Sequence, residues 1–187
     1  KAEARQILLN VEHMSNIHTQ ERADKTFSAR IQTEGGCDIR EALFFAFAKN
    51  DSRLLAAFAS GFAWFTPDTG EVEWIAKPEA HLIGNRSNDG RCDRQGRFWM
   101  GSIREQQKTP WEYASLYSLS VDGNVQQHLT GLHISNALCW SPDSRKMYHA
   151  DSPTHTINVY DFDAVTGELS NKHMFAQTDA GIEPDGA

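Results

Sequence analysis

The sequence predicts an all-β protein of the β-propeller class, and three observations lead to this prediction. One pattern recurs in residues 45–60, 90–102 and 137–151: a short strand, a polar turn, one basic residue and an apolar strand. The basic residues, Arg53, Arg97 and Lys146, lie 44 and 49 residues apart. A second strand pair follows each stretch, and four strands in about 40–50 residues is the period of a propeller blade. The alternative is a β-sandwich with irregular hairpins.

Composition and charge narrow the range of partners. The 187 residues carry a net charge of −7 without a basic run, which argues against binding to nucleic acid or to an anionic membrane surface. No apolar run approaches the length of a membrane span, and no secretory signal is visible at the N-terminus. The three cysteines, Cys37, Cys92 and Cys139, lack metal-ligand spacing. We therefore expect a soluble, cytoplasmic protein.

The first 41 residues are the least regular part of the chain. One strand is possible at residues 7–11, but residues 13–36 are polar and show neither a two-residue nor a 3.6-residue period. Such a long irregular segment is unusual inside a compact domain. We predict that residues 1–41 are the remnant of an earlier blade and that residues 42–187 form a partial propeller domain.

The first regular unit covers residues 42–76. Strands are predicted at 42–48, 54–59, 62–65 and 71–76, where Ala, Phe and Trp suit buried positions. The turn PDTG at residues 67–70 separates the last two strands. The strand at 71–76 alternates acidic and apolar residues, as a half-exposed strand does.

The second and third units repeat this organisation. In the second unit, SLYSLS at 115–120 and VQQHLT at 125–130 flank an Asp-Gly turn. In the third unit, INVYDF at 157–162 and ELSNKHMF at 168–175 flank the turn DAVTG. Extended runs around Asp-Gly or Thr-Gly are typical of β-hairpins. The sequence therefore predicts a partial propeller of about three to four four-stranded blades.

Polar clusters precede equivalent strands in successive units. They are NRSNDG at residues 85–90, HISN at 133–136 and EPDG at 183–186. Asn and Asp favour turns, so turn formation alone could account for each cluster. Equivalent connections of a propeller nevertheless meet at one end of its central channel. We therefore expect the three clusters to converge there.

These clusters, their order and their spacing resemble the gluconolactonase family, which includes regucalcin and the luciferin-regenerating enzymes. The similarity covers residues 42–187 and is carried by RSNDG at 86–90, SNAL at 135–138 and PDG at 184–186. The resemblance implies a propeller of the six-bladed type with one divalent metal ion in its channel. It also implies a carboxylic-ester hydrolase that converts a sugar lactone, its small-molecule partner, to the aldonic acid.

The resemblance also assigns roles to individual residues. Asn136 and Asp185 would be metal ligands, and Asp185 would also be the catalytic base. Arg86 and Asn88 would bind substrate oxygens, and Glu105 would bind substrate hydroxyls. Oxygen ligands suit Ca²⁺, Mg²⁺ or Mn²⁺, and Zn²⁺ and Fe²⁺ stay possible.

The chain departs from the family pattern at several positions. The family takes a further metal ligand from an E-G-P stretch that is absent from this sequence, and neither Glu34 nor Glu3 has that context. Ala137 replaces a Gly, so a positive φ beside Asn136 is costly. Ser87 replaces an aromatic residue and loosens the wall of the predicted pocket.

Two classes of function remain open at this stage. A metal-dependent sugar lactonase is one, and a non-catalytic calcium-binding or interaction propeller, or an inactive truncated member, is the other. The sequence shows about three recognisable blades, so two blade faces would lack a neighbouring blade. One face would carry Phe44 and Phe47, and the other Ile157 and Val159. We expect these faces to cause self-association of the isolated chain. Among the eight histidines, only His133 lies near the predicted channel mouth, and none forms a zinc-type pair.

Overall fold

The computed structural model describes residues 42–48, 51–105 and 113–186, and this part of the chain contains three antiparallel four-stranded sheets. The first sheet contains β1 (Ala42–Phe47), β2 (Leu54–Phe58), β3 (Gly61–Thr66) and β4 (Glu71–Ala76). The second contains β5 (Asn85–Cys92), β6 (Phe98–Arg104), β7 (Ala114–Leu119) and β8 (Val125–Leu132). The third contains β9 (Ser135–Trp140), β10 (Lys146–Asp151), β11 (Thr156–Phe162) and β12 (Leu169–Gln177).

In every sheet the strands pair in the order of the sequence, so each sheet is one antiparallel meander. This confirms the all-β prediction and its repeating four-strand units. A sandwich would have two facing sheets, whereas three successive sheets fit a propeller-type fold. The total of six blades stays a prediction.

The predicted N-terminal remnant lies outside the described residues. Among the described residues, no helix is long and apolar enough to span a membrane.

The three predicted hairpin turns are present. Gly70, Gly123 and Gly167 have φ values of 74°, 82° and 83°. Their amides donate to the carbonyls of Thr66, Ser120 and Asp163, at 2.8, 3.0 and 2.7 Å. Glycine is favoured because L-residues with a side chain rarely adopt this left-handed conformation.

The first polar cluster lies within a strand and the second lies partly within one, which corrects the prediction that both precede their strands. Residues 85–90 belong to β5, and Asn136 belongs to β9. The strand continues through these polar residues because β6 supplies partners for the backbone, with Ser87 opposite Ser102. An irregularity between Ser87 and Gly90 interrupts the register and frees the intervening residues for other contacts.

Aromatic side chains fill the interface between the first two sheets. Phe44 of β1 and Phe62 of β3 pack on Phe98 of β6, with ring centroids 4.9 and 5.9 Å apart. Gly90 is required here, since a Cβ at this position would lie 1.8 Å from the Phe44 ring. The second interface is similar, with Trp99 5.5 Å from Trp140. These contacts bury Phe98 and Trp99 completely, and burial of one such ring contributes about 2–3 kcal/mol.

The outer faces differ from the sequence-based expectation at two of four residues. Phe44 was expected on an uncovered face, but it packs between the first two sheets. Val159 was expected to be uncovered, but it is only 4% exposed. Phe45 on β1 and Phe175 on β12 are instead exposed, at 43% and 61%. A one-residue change along a strand turns a side chain to the other face, so β1 presents Phe45 rather than Phe44.

The basic residue that recurs in each unit forms an ion pair. Arg53 pairs with Asp51 at 2.8 Å, and Lys146 pairs with Asp161. Arg97 pairs with the buried Asp93 at 2.9 Å and donates to the carbonyls of Ala164 and Val165, in the turn between β11 and β12 of the third sheet. The second of these basic residues therefore connects two sheets.

Among the acidic residues in these ion pairs, Asp93 accepts hydrogen bonds from the largest number of donor groups. Its Oδ1 accepts from the backbone amides of Gln95 and Arg97, both at 2.9 Å. Its Oδ2 accepts from Arg97 Nη1 at 2.9 Å and from Trp99 Nε1 at 3.0 Å. A carboxylate with four donors satisfies buried groups that would otherwise lack partners.

We expect Asp93→Ala to lower the free energy of unfolding by about 3–5 kcal/mol, because it leaves a buried cation and an indole N–H without their acceptor. Urea unfolding followed by tryptophan fluorescence measures the change. Asp122→Ala, in the exposed turn before β8, is the control and should change stability by less than about 0.5 kcal/mol. Equal stabilities of the two variants would contradict the structural role of Asp93.

Candidate functional site

The candidate site lies where the first strands of the second and third sheets meet. Asn88 Nδ2 of β5 donates to the carbonyl of Ser135 in β9 at 3.0 Å. Asp89 Oδ2 accepts from the amide of Leu138 at 3.3 Å. Adjacent first strands are the arrangement expected around the channel of a propeller. The polar residues of both clusters therefore share one region of the molecule.

Close packing between these strands depends on small residues. A Cβ on Gly101 of β6 would lie 1.9 Å from Ser135 Oγ. Ser135 Oγ lies 2.8 Å from His149 Nε2, and both side chains are buried. Burial lowers the pKa of His149 to about 4, so this imidazole is neutral at physiological pH. The Ser135–His149 pair is therefore an uncharged, buried contact between β9 and β10.

The three residues predicted to bind substrate form one cluster. Arg86 Nε donates to Glu105 Oε1 at 2.5 Å, and Arg86 Nη1 donates to Asn88 Oδ1 at 3.4 Å. Arg86 Nη1 also donates to the carbonyl of Ser87 at 2.9 Å. The Arg86 side chain is 26% exposed, so it is held in place while one edge stays open to solvent. The structure thus brings Arg86, Asn88 and Glu105 together, and their role in substrate binding stays a prediction.

A chain of hydrogen bonds connects Asn136 with the segment that carries Asp185. Asn136 Nδ2 donates to Ser152 Oγ at 2.9 Å, and Ser152 Oγ donates to the carbonyl of Pro184 at 2.8 Å. The buried amide nitrogen of Asn136 is thus occupied, while its Oδ1 accepts no hydrogen bond from residues that the structure describes. Asp185 itself is exposed. Hydrogen bonds therefore connect Asn136 to the residue that precedes Asp185.

A further carboxylate, Asp89, contacts β9 at Leu138, two residues from Asn136. The sequence places Asp89 in a converging polar cluster but assigns it no individual role. Burial raises the pKa of Asp89, and the nearby negative charge of Asp185 adds to the rise. The amides of Leu138 and Gly90 oppose it by donating to the carboxylate. Asp89 is therefore a partly buried carboxylate that contacts β9.

The oxygen donors at this position suit a hard divalent cation. A free amide oxygen on Asn136 and the exposed carboxylate of Asp185 are ligand types that Ca²⁺, Mg²⁺ and Mn²⁺ accept. Within residues 42–48, 51–105 and 113–186 there is no group of three or more His, Cys, Asp or Glu side chains arranged for a metal ion. Glu3 and Glu34, which the sequence leaves unassigned, lie outside the described residues. The described chain thus offers two ligands that fit.

The backbone beside Asn136 is strained. Ala137 has a φ of 53°, in the left-handed region that glycine adopts without cost. The residue is buried within β9, so its neighbours hold it in this conformation. The cost that the sequence predicted at Ala137 is therefore present in the structure.

We expect Ala137→Gly to raise the free energy of unfolding by about 1 kcal/mol, because it removes the Cβ that makes a positive φ unfavourable. Thermal unfolding of the two proteins measures the change. Ala150→Gly in β10, where no positive φ exists, is the control and should be destabilising by about 1 kcal/mol or more. A lower free energy of unfolding in the Ala137→Gly protein would contradict the backbone strain at Ala137.

A second pair near the site, His133 and Asp151, was only partly foreseen. The sequence predicts that His133 lies near the channel mouth. In the structure, Asp151 Oδ1 accepts from the amides of His133 and Ile134 at 3.0 and 2.8 Å. Its Oδ2 lies 3.0 Å from His133 Nδ1. Asp151 therefore orients the imidazole as well as the backbone ahead of β9.

Comparison with known protein families gives one match that covers most of the chain. Residues 7–187 match the family described as the SMP-30/Gluconolactonase/LRE-like region. A Bacillus subtilis protein, provisionally named sugar lactone lactonase YvrE, is 34% identical over 138 residues. That alignment covers 71% of this chain and 45% of the relative.

Two solved structures are similar in both sequence and fold. A luciferin-regenerating enzyme aligns with a TM-score of 0.67 and 31% identity, covering 74% of this chain and 48% of that one. Regucalcin from Agrobacterium tumefaciens, described as a calcium-binding protein, aligns with a TM-score of 0.65 and 30% identity. That match covers 73% of this chain and 46% of the relative. The chain therefore spans less than half the length of these relatives.

Proposed function

The chain belongs to the SMP-30/gluconolactonase/LRE-like family, and we propose that the intact protein hydrolyses a sugar lactone to its aldonic acid with the help of a divalent cation. The main observation that supports this proposal is that two groups of residues come together where β5 packs against β9. One group is Arg86, Asn88 and Glu105, joined by hydrogen bonds and an ion pair. The other is Asn136, linked through Ser152 to the segment of Asp185.

In this proposal, Arg86 and Asn88 bind the oxygens of the lactone, and Glu105 accepts from its hydroxyls. Arg86 is suited to this task because its guanidinium presents several donors in a fixed plane. Its partners Glu105 and Asn88 fix that plane before substrate arrives. A lactone carbonyl or ring hydroxyl then meets donors and acceptors that need little reorganisation.

Asn136 and Asp185 hold the cation in the same proposal. A divalent ion bound there supplies Lewis-acid polarisation of the lactone carbonyl. The Asp185 carboxylate takes a proton from the water that attacks the carbonyl carbon, as a general base. Its exposure leaves room for that water beside it. Calcium, magnesium, manganese, zinc and iron(II) all stay candidates, and the calcium-binding relative favours calcium.

A pH-stat assay of the intact protein with five- and six-membered aldonolactones, repeated with each of the five cations, tests the function. We expect metal-dependent acid release from at least one of these lactones. Absence of turnover for every lactone and cation would contradict the proposal. A cytoplasmic location and the lack of nucleic-acid or membrane partners remain predictions from composition.

A non-catalytic calcium-binding or interaction propeller is the second candidate function. The observation in its favour is that the described residues supply only two of the expected ligands, together with the calcium-binding description of a structural relative. Cation binding without turnover of any lactone would support this second function.

A further inference from the structure

His133 and Asp151 form an oriented imidazole–carboxylate pair that the proposed reaction has not used. Asp151 accepts from the Nδ1 side of the ring at 3.0 Å and from two backbone amides. Three hydrogen bonds to one carboxylate fix both the loop and the ring. Nε2 therefore points away from Asp151, and no residue in the described part of the chain forms a hydrogen bond to it. The side chain is 49% exposed, so this nitrogen is accessible.

The position of His133 places this accessible nitrogen at the site. Its carbonyl accepts from the amide of Arg104 at 3.1 Å, and Ile134 forms a bridge with Ile103. His133 thus lies next to the end of β6, beside Glu105, and three residues before Asn136 in the chain. His133 is therefore adjacent to the end of β6 that carries Glu105 and is close in sequence to Asn136.

The charged and titratable groups around His133 come from each packed element. Asp151 lies on β10, Arg104 and Glu105 on β6 and its end, and the Tyr113 ring lies 6.1 Å from the imidazole. The pKa of Tyr160 is raised to about 12. Burial is the main cause, and the negative charge of Asp151 adds to the rise. Tyr160 is therefore neutral at physiological pH, and Asp151 is the acidic group in hydrogen-bond contact with His133.

We propose that His133 is the general acid that protonates the ring oxygen of the lactone as the ring opens. The inference rests on the proposed lactonase function. As water adds to the carbonyl carbon, Asp185 takes its proton, and the bond between that carbon and the ring oxygen then breaks. Nε2–H of the His133 imidazolium gives its proton to that oxygen, which leaves as an alcohol. The proton on Asp185 returns to His133 through solvent, so one lactone and one water yield one hydroxy acid.

A general acid is useful in this reaction because it protonates a poor leaving group. Opening an aldonolactone expels an aliphatic alkoxide, which is a poor leaving group, and general acid catalysis contributes about 10²–10⁴-fold in comparable steps. A lactone whose leaving group is a phenol needs little protonation. The two substrate types therefore separate an acid role from a structural one.

The test is His133→Gln in the intact protein, assayed with an aldonolactone and with an aryl lactone such as dihydrocoumarin. We expect kcat/KM to fall about 100-fold for the aldonolactone and less than about tenfold for the aryl lactone. His173→Gln, an exposed histidine in β12, is the control and should change neither rate.

The outcomes separate the inference from the function on which it rests. An unmodified protein that turns over neither lactone contradicts the proposed function and the inference together. An active unmodified protein whose His133→Gln variant loses equal factors on both lactones contradicts the inference alone. Selective loss on the aldonolactone supports it.

Discussion

Arg86→Ala should lower kcat/KM for a sugar lactone about 100-fold while the affinity for the divalent cation stays nearly unchanged. The expected factor corresponds to about 2–3 kcal/mol, the usual scale for a charge-assisted hydrogen bond to substrate. Arg86 contacts Glu105, Asn88 and Ser87, and none of these is an assigned metal ligand. The loss should therefore concern the substrate and not the cation.

Steady-state kinetics and calorimetric cation titration of the same preparation measure both quantities. Arg94→Ala is the matched control, because Arg94 lies in the turn after β5 and donates to the carbonyl of Ser141. It should leave both quantities unchanged. Arg86→Lys keeps the charge but loses the planar fork, so we expect activity between the two. Equal activity of the Arg86→Ala and Arg94→Ala proteins would show that Arg86 does not bind substrate.

Asp185→Ala should weaken divalent cation binding by about 100-fold or more and abolish lactone turnover, since it removes the charged member of the described ligand pair. Asp185 is exposed and follows the buried Pro184, so the fold should survive the change. Retained circular dichroism and an unchanged unfolding midpoint verify this. Calorimetric titration with calcium and manganese measures affinity.

Asp179→Ala provides the control for charge alone. Asp179 is exposed in the same segment, six residues before Asp185, and is not assigned to the site. Its removal should change cation affinity by less than about threefold, which is the range of a screened surface charge. Similar affinities of the Asp179→Ala and Asp185→Ala proteins would remove Asp185 from the site.

Much of the fold was predictable because its signals are local. The turns at Gly70, Gly123 and Gly167 lie in short segments that also contain Asp, and each sheet follows sequence order. The facing of individual strands was harder to predict. Phe44 and Phe45 are both aromatic, so the sequence of β1 does not indicate which one faces the second sheet. The neighbouring Gly90 determines it, and that contact joins residues 46 positions apart.

Family motifs are the part of the sequence that names candidate site residues. They mark Arg86, Asn88 and Asn136, and the structure brings Arg86, Asn88 and Glu105 together. The His133–Asp151 contact was not predictable because it depends on how β9 pairs with β10. Ser135 lies opposite Asp151 in that register, which brings the carboxylate to the amides of residues 133 and 134. Short-range sequence patterns contain no information on such a pairing.

The recurring basic residues show a similar limit. Arg53, Arg97 and Lys146 were recognised as a repeat, but their acidic partners come from different positions. Arg53 pairs with the turn residue Asp51, whereas Lys146 pairs with Asp161 on the neighbouring strand. Hydrogen bonds from Arg53 lower the pKa of Asp51 to about 2, yet this pair lies at the surface and contributes little to stability. Only Arg97 connects two sheets.

The most direct test of the site is the position of a bound cation in crystals of the intact protein grown with manganese and an aldonate. Anomalous scattering from manganese locates the ion independently of any assigned ligand. We predict a single strong peak within coordination distance, about 2.0–2.4 Å, of Asn136 Oδ1 and an Asp185 carboxylate oxygen, with the aldonate against Arg86. A manganese peak elsewhere, with Asn136 and Asp185 contacting only water, would contradict the proposed metal-dependent lactonase site.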